Sequence, residues 1–189
     1  MATPLGHSLA GYAVASRSGT SGYYFIGLCV LMANAPDLDF LPGLLTGAPA
    51  LYHQGITHSI VFGCVVSLVA AAVHAYGGWP FLRIFYLCSF SYLSHLLMVY
   101  FGPDGRPPYG IPLLWPMSDI YFISPVPLFL GMHHAGSAHA SIQDWIRGVL
   151  DLRNFGAVAL EIVLIAPFVF LRVRRGETPE KISESMDKA

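Results

Sequence analysis

The chain has 189 residues, of which 54% are hydrophobic and 11% charged, with a formal net charge of -1 and a mean hydropathy of +0.57. A soluble domain carries about 25% charged residues, so this composition points to a membrane protein, and its length to one domain. A nucleic-acid partner would ask for a basic stripe or face, and the near-neutral charge excludes that class.

Cys29, Cys64 and Cys88 all lie in apolar runs. They form neither a disulfide framework nor a Cys-x-x-Cys motif, and read as packing residues. The N-terminus, Met-Ala-Thr-Pro-Leu-Gly-His, lacks the positive stretch that opens a secretory signal, so the first segments are expected to be retained.

Pro4 to Ala15 reads as a helix, the polar stretch Ser16 to Gly22 as a turn, and Tyr23 to Ala35 as a second apolar arm. Each arm is short against the roughly 20 residues that a spanning helix needs. An antiparallel hairpin of these arms brings His7 to the same end as Asp37. Ala35-Pro36-Asp37-Leu38-Asp39 closes the second arm, and His53-Gln54-Gly55-Ile56-Thr57-His58-Ser59 opens the next apolar segment. Carboxylate oxygen and imidazole nitrogen are ligands that zinc or manganese accepts.

Ser59 to Tyr76 is almost wholly apolar, with Thr57 or Ser59 able to cap its start and Gly77-Gly78-Trp79-Pro80 ending it. Phe81 to Phe101 should return antiparallel to it, carrying Ser91, Ser94 and His95 toward its end. With about 1.5 Å of rise per residue in both helices, His58 and His95 reach similar depth, and the two are expected to share an ion. Gly102 to Pro127 is broken by proline and glycine, and its tryptophan and tyrosines suit an interfacial lid.

Leu128 to Trp145 holds His133, His134 and His139 and reads as an amphipathic or surface segment. Phe155 to Val173 is the last span, interrupted by Glu161 and Pro167 and stopped by Arg172, Arg174 and Arg175. An ionisable group inside a membrane segment is costly and is usually functional or paired; for Glu161 a structural partner is expected, an arginine or a histidine. The whole is an all-α, polytopic membrane protein: an N-terminal hairpin and three to four further hydrophobic helices in one domain over residues 1–176, then a polar tail at 177–189 expected to be disordered. Arg17, Arg83, Arg172, Arg174, Arg175, Lys181 and Lys188 fall on one side, and Arg106, Arg147 and Arg153 on the other. The heavier side should be cytoplasmic, which turns the candidate site toward the periplasm or cell exterior.

Five motifs recur here in order: His7, Pro36 to Asp39, His53 to Ser59, Ser94 to Leu97, and Gly110 to Pro116. Together they resemble the YdjM-like family of predicted membrane-bound metal-dependent hydrolases, and more distantly zinc-dependent phospholipase C. The resemblance covers about residues 1 to 120 and implies a bacterial inner-membrane protein. It also marks two departures. Where the family reads Ser-His-x-x-Leu-Asp this chain has Val99, with Asp104 as a replacement from the loop; where the family often has Arg it has Gln54, with Arg106 the nearest substitute.

The expected activity is a metal-dependent hydrolase acting on a membrane lipid or lipid-linked ester, a phosphoester included. Asp37, His58 and His95 are the core ligands, and His7, Asp39, His53 and Asp104 complete one or two metal positions. Asp39 or Asp104 takes a proton, and Arg106 meets the oxyanion or phosphate. Two alternatives stand beside it: a non-catalytic metal-binding scaffold that has lost a ligand at Val99, and a small transporter using His95 and Glu161.

Overall fold

The computed structural model describes residues 2–18, 22–132 and 140–173. His133, His134, His139, Arg174, Arg175 and the tail at 177–189 lie outside the described residues. Helix α1 (Pro4–Arg17) starts where Thr3 accepts a hydrogen bond from the Gly6 amide and Pro4 takes the first helical position, both favourable at a helix N-terminus. Helix α2 (Tyr23–Asn34) passes through a 3-10 turn (Ala35–Asp39) into α3 (Phe40–Leu45). A second 3-10 turn (Ile56–His58) leads to α4 (Ile60–Tyr76), capped by Ser59 through the Phe62 amide at 3.2 Å. Then come α5 (Phe81–Tyr100), α6 (Ile142–Val149) and α7 (Arg153–Val173). Among the described residues there is no strand, only an isolated bridge between Ile111 and Phe122.

The all-helical class is as expected, and among the described residues two or three helices qualify as membrane spans, which does not confirm a hairpin with three to four further hydrophobic helices. Tyr23–Leu45, with 23 residues, and Phe81–Tyr100, with 20, are long and apolar enough to cross a membrane. A third span results if α6 and the helix after it, bent by 54°, count as one. Helix α4 is apolar but has 17 residues, because Gly77 and Gly78, the latter at φ +84, end it. The largest difference concerns Pro36. Proline at the second position of a 3-10 turn needs no amide hydrogen, so the chain continues through it, and Asp37 and Asp39 lie inside a 23-residue apolar run instead of after one.

Small residues let the helices touch. At Gly11 a Cβ would come within 2.6 Å of the Cys29 carbonyl oxygen, and at Gly63 within 2.6 Å of the Tyr92 ring, the close approach that membrane helix interfaces favour. Phe25, Cys29 and Met32 of α2 pack with Ala71 of α4 and with Ile84, Leu87 and Cys88 of α5. Ala10 and Ala13 of α1 pack with Met98 of α5 and Ile165 of α7. Helix α1 therefore lies between the hairpin partner, α5 and α7, and its N-terminal end carries His7 into the interior.

Beyond α5 the loop folds back over this end. The Ile111 and Phe122 backbones exchange hydrogen bonds at 3.0 and 2.9 Å, and the Leu113 carbonyl accepts the Ile60 amide at 3.0 Å. Ile111 is buried with Tyr92, Leu96 and Val99. The position where a carboxylate was expected is thus part of an apolar cluster.

Candidate metal centre

Each candidate ligand reaches the site from a different element. His7 comes from the first turn of α1, Asp37 and Asp39 from the 3-10 turn after α2, His53 and His58 from the segment before α4, and His95 from α5. All four histidines are buried. The antiparallel hairpin places His7 beside His95, the rings stacked with centroids 3.8 Å apart. Asn34 ties the hairpin arms by donating to Ser8 Oγ at 3.1 Å and to the Val30 carbonyl at 2.8 Å.

Hydrogen bonds on the outer edges of the rings determine what faces inward. His95 Nδ1 lies 2.8 Å from the Ala33 carbonyl, which can only accept, so the proton sits on Nδ1 and Nε2 keeps its lone pair. His58 Nδ1 lies 3.3 Å from Asp39 Oδ2 and 3.1 Å from Thr57 Oγ1. Thr57 in turn donates to Asp39 Oδ2 at 2.9 Å, so its oxygen accepts from His58 Nδ1 and Nε2 is the ring atom that faces inward. His53 Nδ1 is 2.8 Å from Asp39 Oδ1, with Phe40 stacked on the ring at 3.8 Å. Asp39 thus stands behind two histidines, the carboxylate–imidazole relation that orients metal ligands.

Three potential ligand atoms then converge. His95 Nε2 is 3.2 Å from His58 Nε2, His95 Nε2 is 3.4 Å from Asp37 Oδ1, and His58 Nε2 is 3.6 Å from the same oxygen. Donors on a tetrahedral ion with bonds of about 2.0–2.2 Å stand about 3.3–3.6 Å apart, the same spacing. Asp37 Oδ1 is buried without a hydrogen-bond partner, as are both ring nitrogens of His7, and buried polar atoms of this kind call for an explanation. His7, Asp37 and His95 form one group able to hold a metal ion, and Asp37, His53 and His58 another; Asp37 belongs to both.

The local field is also suited to a cation. Burial disfavours charge on His58, but the Asp37 and Asp39 carboxylates outweigh it and push its pKa up to about 9. The acids that raise proton affinity there attract any cation. His53 goes the other way: burial lowers its pKa despite Asp39 and Asp37, leaving a neutral ring at physiological pH.

Asp104 and Arg106 are drawn elsewhere. Asp104 accepts the Arg106 amide at 3.1 Å and the Gly110 amide at 2.8 Å, and it belongs to neither donor group among the described residues. Arg106 donates to the Ala50 carbonyl at 2.6 Å and the His53 carbonyl at 3.1 Å, fastening the loop to the segment that carries His53. Gln54, at φ 65, is buried in that same turn.

Among the described residues Glu161 meets neither an arginine nor a histidine in a hydrogen bond or ion pair. Its carboxylate accepts the Thr3 amide at 2.7 Å and the Thr3 hydroxyl, closing off the start of α1 one turn before His7. Thr3, which meets Glu161, and the Thr57 hydroxyl between Asp39 and His58 are the neighbours whose contacts reading by motif does not give; the Thr3-Pro4 cap and the glycine beside His7 were the available signals.

The comparisons agree with this architecture. Over 100 residues the chain is 32% identical to the inner membrane protein YbcI of Escherichia coli (strain K12), a stretch that takes in 51% of this chain and 56% of that protein. No solved structure matches it. The model of the YdjM inner membrane protein family matches residues 1–177, almost the whole length including every side chain of the centre, and the chain belongs to that family.

Proposed function

We propose that this inner-membrane protein is a metal-dependent hydrolase that cleaves a lipid or lipid-linked ester, a phosphoester included, at the outer membrane–water interface. The observation that carries the reading is the convergence of Asp37 Oδ1, His58 Nε2 and His95 Nε2 at tetrahedral-edge spacing, with His7 alongside. We assign zinc as the ion, with manganese as the second choice, since nitrogen and carboxylate donors suit both. When bound, zinc supplies a water whose pKa is lowered to about 7 and polarises the substrate oxygen.

The chain's own residues have separable duties. Asp37, His58 and His95 hold the ion, and His7 and His53 complete the ring on either side of Asp37. Asp39 keeps His53 and His58 in the tautomer that ligates, and its carboxylate would take the proton from an attacking water. Asp104 and Arg106 act on the same reaction by holding the loop and the Ala50–His53 segment against it. A cavity of about 610 Å³ beside Asp39 and Thr57 is lined by Leu38, Pro42, Ile56 and Phe62, which supports a substrate with an acyl portion.

Metal analysis of the purified full chain tests the reading. Wild type should carry stoichiometric zinc or manganese, His58→Ala and His95→Ala should lose most of it, and the wild type should release phosphate or fatty acid from a panel of lipids. Absence of any transition metal overturns the hydrolase. Stoichiometric metal with no product from any lipid favours the second reading, a metal-binding scaffold, which the commitment of Asp104 and Arg106 to backbone partners supports.

A further inference from the structure

A second feature lies at the other end of the bundle. His7 meets His95 at one end and Arg17 shares a groove with Arg83 at the other, so α1 and α5 run antiparallel. From His7 to Arg17 along α1 is ten residues, about 15 Å, and from His95 back to Arg83 along α5 is twelve, about 18 Å. Arg17 and Arg83 therefore emerge at one level, opposite the metal centre. Between them opens a groove of about 630 Å³ with both arginines in its wall.

The rest of the wall is apolar. Tyr86, Phe90, Leu93 and Leu97 follow Arg83 at intervals of three and four residues, one stripe of α5, and all line the groove. Tyr86, Phe90 and Leu97 are exposed there. The stripe from Arg83 to Leu97 runs about 21 Å, enough to cover one leaflet of a hydrocarbon core about 30 Å thick. Arg17 is braced at the mouth: its Nε donates to the Phe168 carbonyl at 3.2 Å, and its guanidinium carbon lies 5.4 Å from the Phe168 ring centroid.

We propose that this groove binds an anionic phospholipid, the phosphate between Arg17 and Arg83 and an acyl chain along Tyr86, Phe90, Leu93 and Leu97. The charge complementarity selects the occupant. Two guanidiniums at one end of a leaflet-deep apolar trough match a headgroup with net negative charge on a hydrocarbon tail, and basic pockets between membrane helices bind such headgroups. The binding is independent of the hydrolytic centre and holds whether or not the chain is an enzyme.

Native mass spectrometry of the full chain in neutral detergent, titrated with phosphatidylglycerol and with phosphatidylcholine of the same acyl chains, reads this directly. Phosphatidylglycerol should be retained preferentially, and Arg17→Gln and Arg83→Gln should each weaken it about fivefold, with phosphatidylcholine unchanged. Leu93→Trp, which fills the trough, should reduce retention of both lipids. Arg83 is exposed, so Arg83→Gln keeps the test alive should Arg17→Gln fold poorly. Equal retention of the two lipids, undiminished phosphatidylglycerol binding in the Arg17→Gln/Arg83→Gln double variant, or a stable dimer through this face in lipid-stripped protein would overturn the proposal.

Discussion

Gly6 and Glu161 show how one residue at the margin of the centre controls a ligand within it. The first amides of a helix have no partner inside the helix, and at the start of α1 they turn toward a buried carboxylate from α7. That carboxylate comes so close that a Cβ at Gly6 would collide with Glu161 Oε2 and stand 2.6 Å from Cδ. Gly6→Ala should therefore push α1 and α7 apart at the turn that carries His7. A cost of about 1–3 kcal/mol is expected, as for overpacking elsewhere, together with a fall in bound metal. Gly27→Ala is the control, because nothing lies within 4 Å of a Cβ there. Thermal unfolding in detergent and metal content of the two variants would separate them, and equal behaviour would show that His7 does not depend on this contact.

The elements were legible to different degrees, and the reason is physical in each case. The hairpin and the antiparallel pair α4 and α5 follow from apolar runs ended by Gly22 and by Gly77-Gly78, and this places His7, His58 and His95 at one end before any coordinates are known. The passage of α2 into α3 is different. Pro36 with two carboxylates reads as the end of a helix, whereas proline at the second position of a 3-10 turn lets the chain run on into α3. Asp104 and Arg106 escaped in another way: as charged groups near a candidate site they suggested chemistry, whereas turn amides and carbonyls were their partners. Neither partner set leaves a trace in residue type or spacing.

At the same scale, Arg106 joins two loops that share no helix. Its two carbonyl acceptors lie in the segment leading to His53, and hydrogen bonds to a charged donor contribute about 1.5–3 kcal/mol each. Arg106→Ala should leave the helices intact and free the 46–55 loop from the 103–110 loop. Hydrogen exchange of the Ala50 to Gly55 amides should quicken by at least tenfold while α5 stays protected. Unchanged exchange in that segment would show that the loop is held by its own packing.

For the whole molecule, the ends of the helices predict a direction in the membrane. Arg17 ends α1, Arg83 begins α5, and the Arg17 hydrogen bond to the Phe168 carbonyl brings the C-terminal half of α7 to the same end. Arg106 lies at the metal end, bound to the loop that carries His53, and Trp145 of α6 packs near Phe40 there, ring centroids 5.7 Å apart, with Arg147 on the same short helix. Basic residues in short flanks remain on the cytoplasmic side, which predicts the arginine end of α1 and α5 in the cytoplasm and the metal end outside. Single cysteines at Thr46 and at Gly77 report on this, in a background with Cys29, Cys64 and Cys88 replaced by alanine. A membrane-impermeant maleimide applied to intact cells should label Thr46→Cys and spare Gly77→Cys until the membrane is opened. The reverse pattern would put the centre in the cytoplasm, and the groove of Arg17 and Arg83 would then draw its lipid from the outer leaflet.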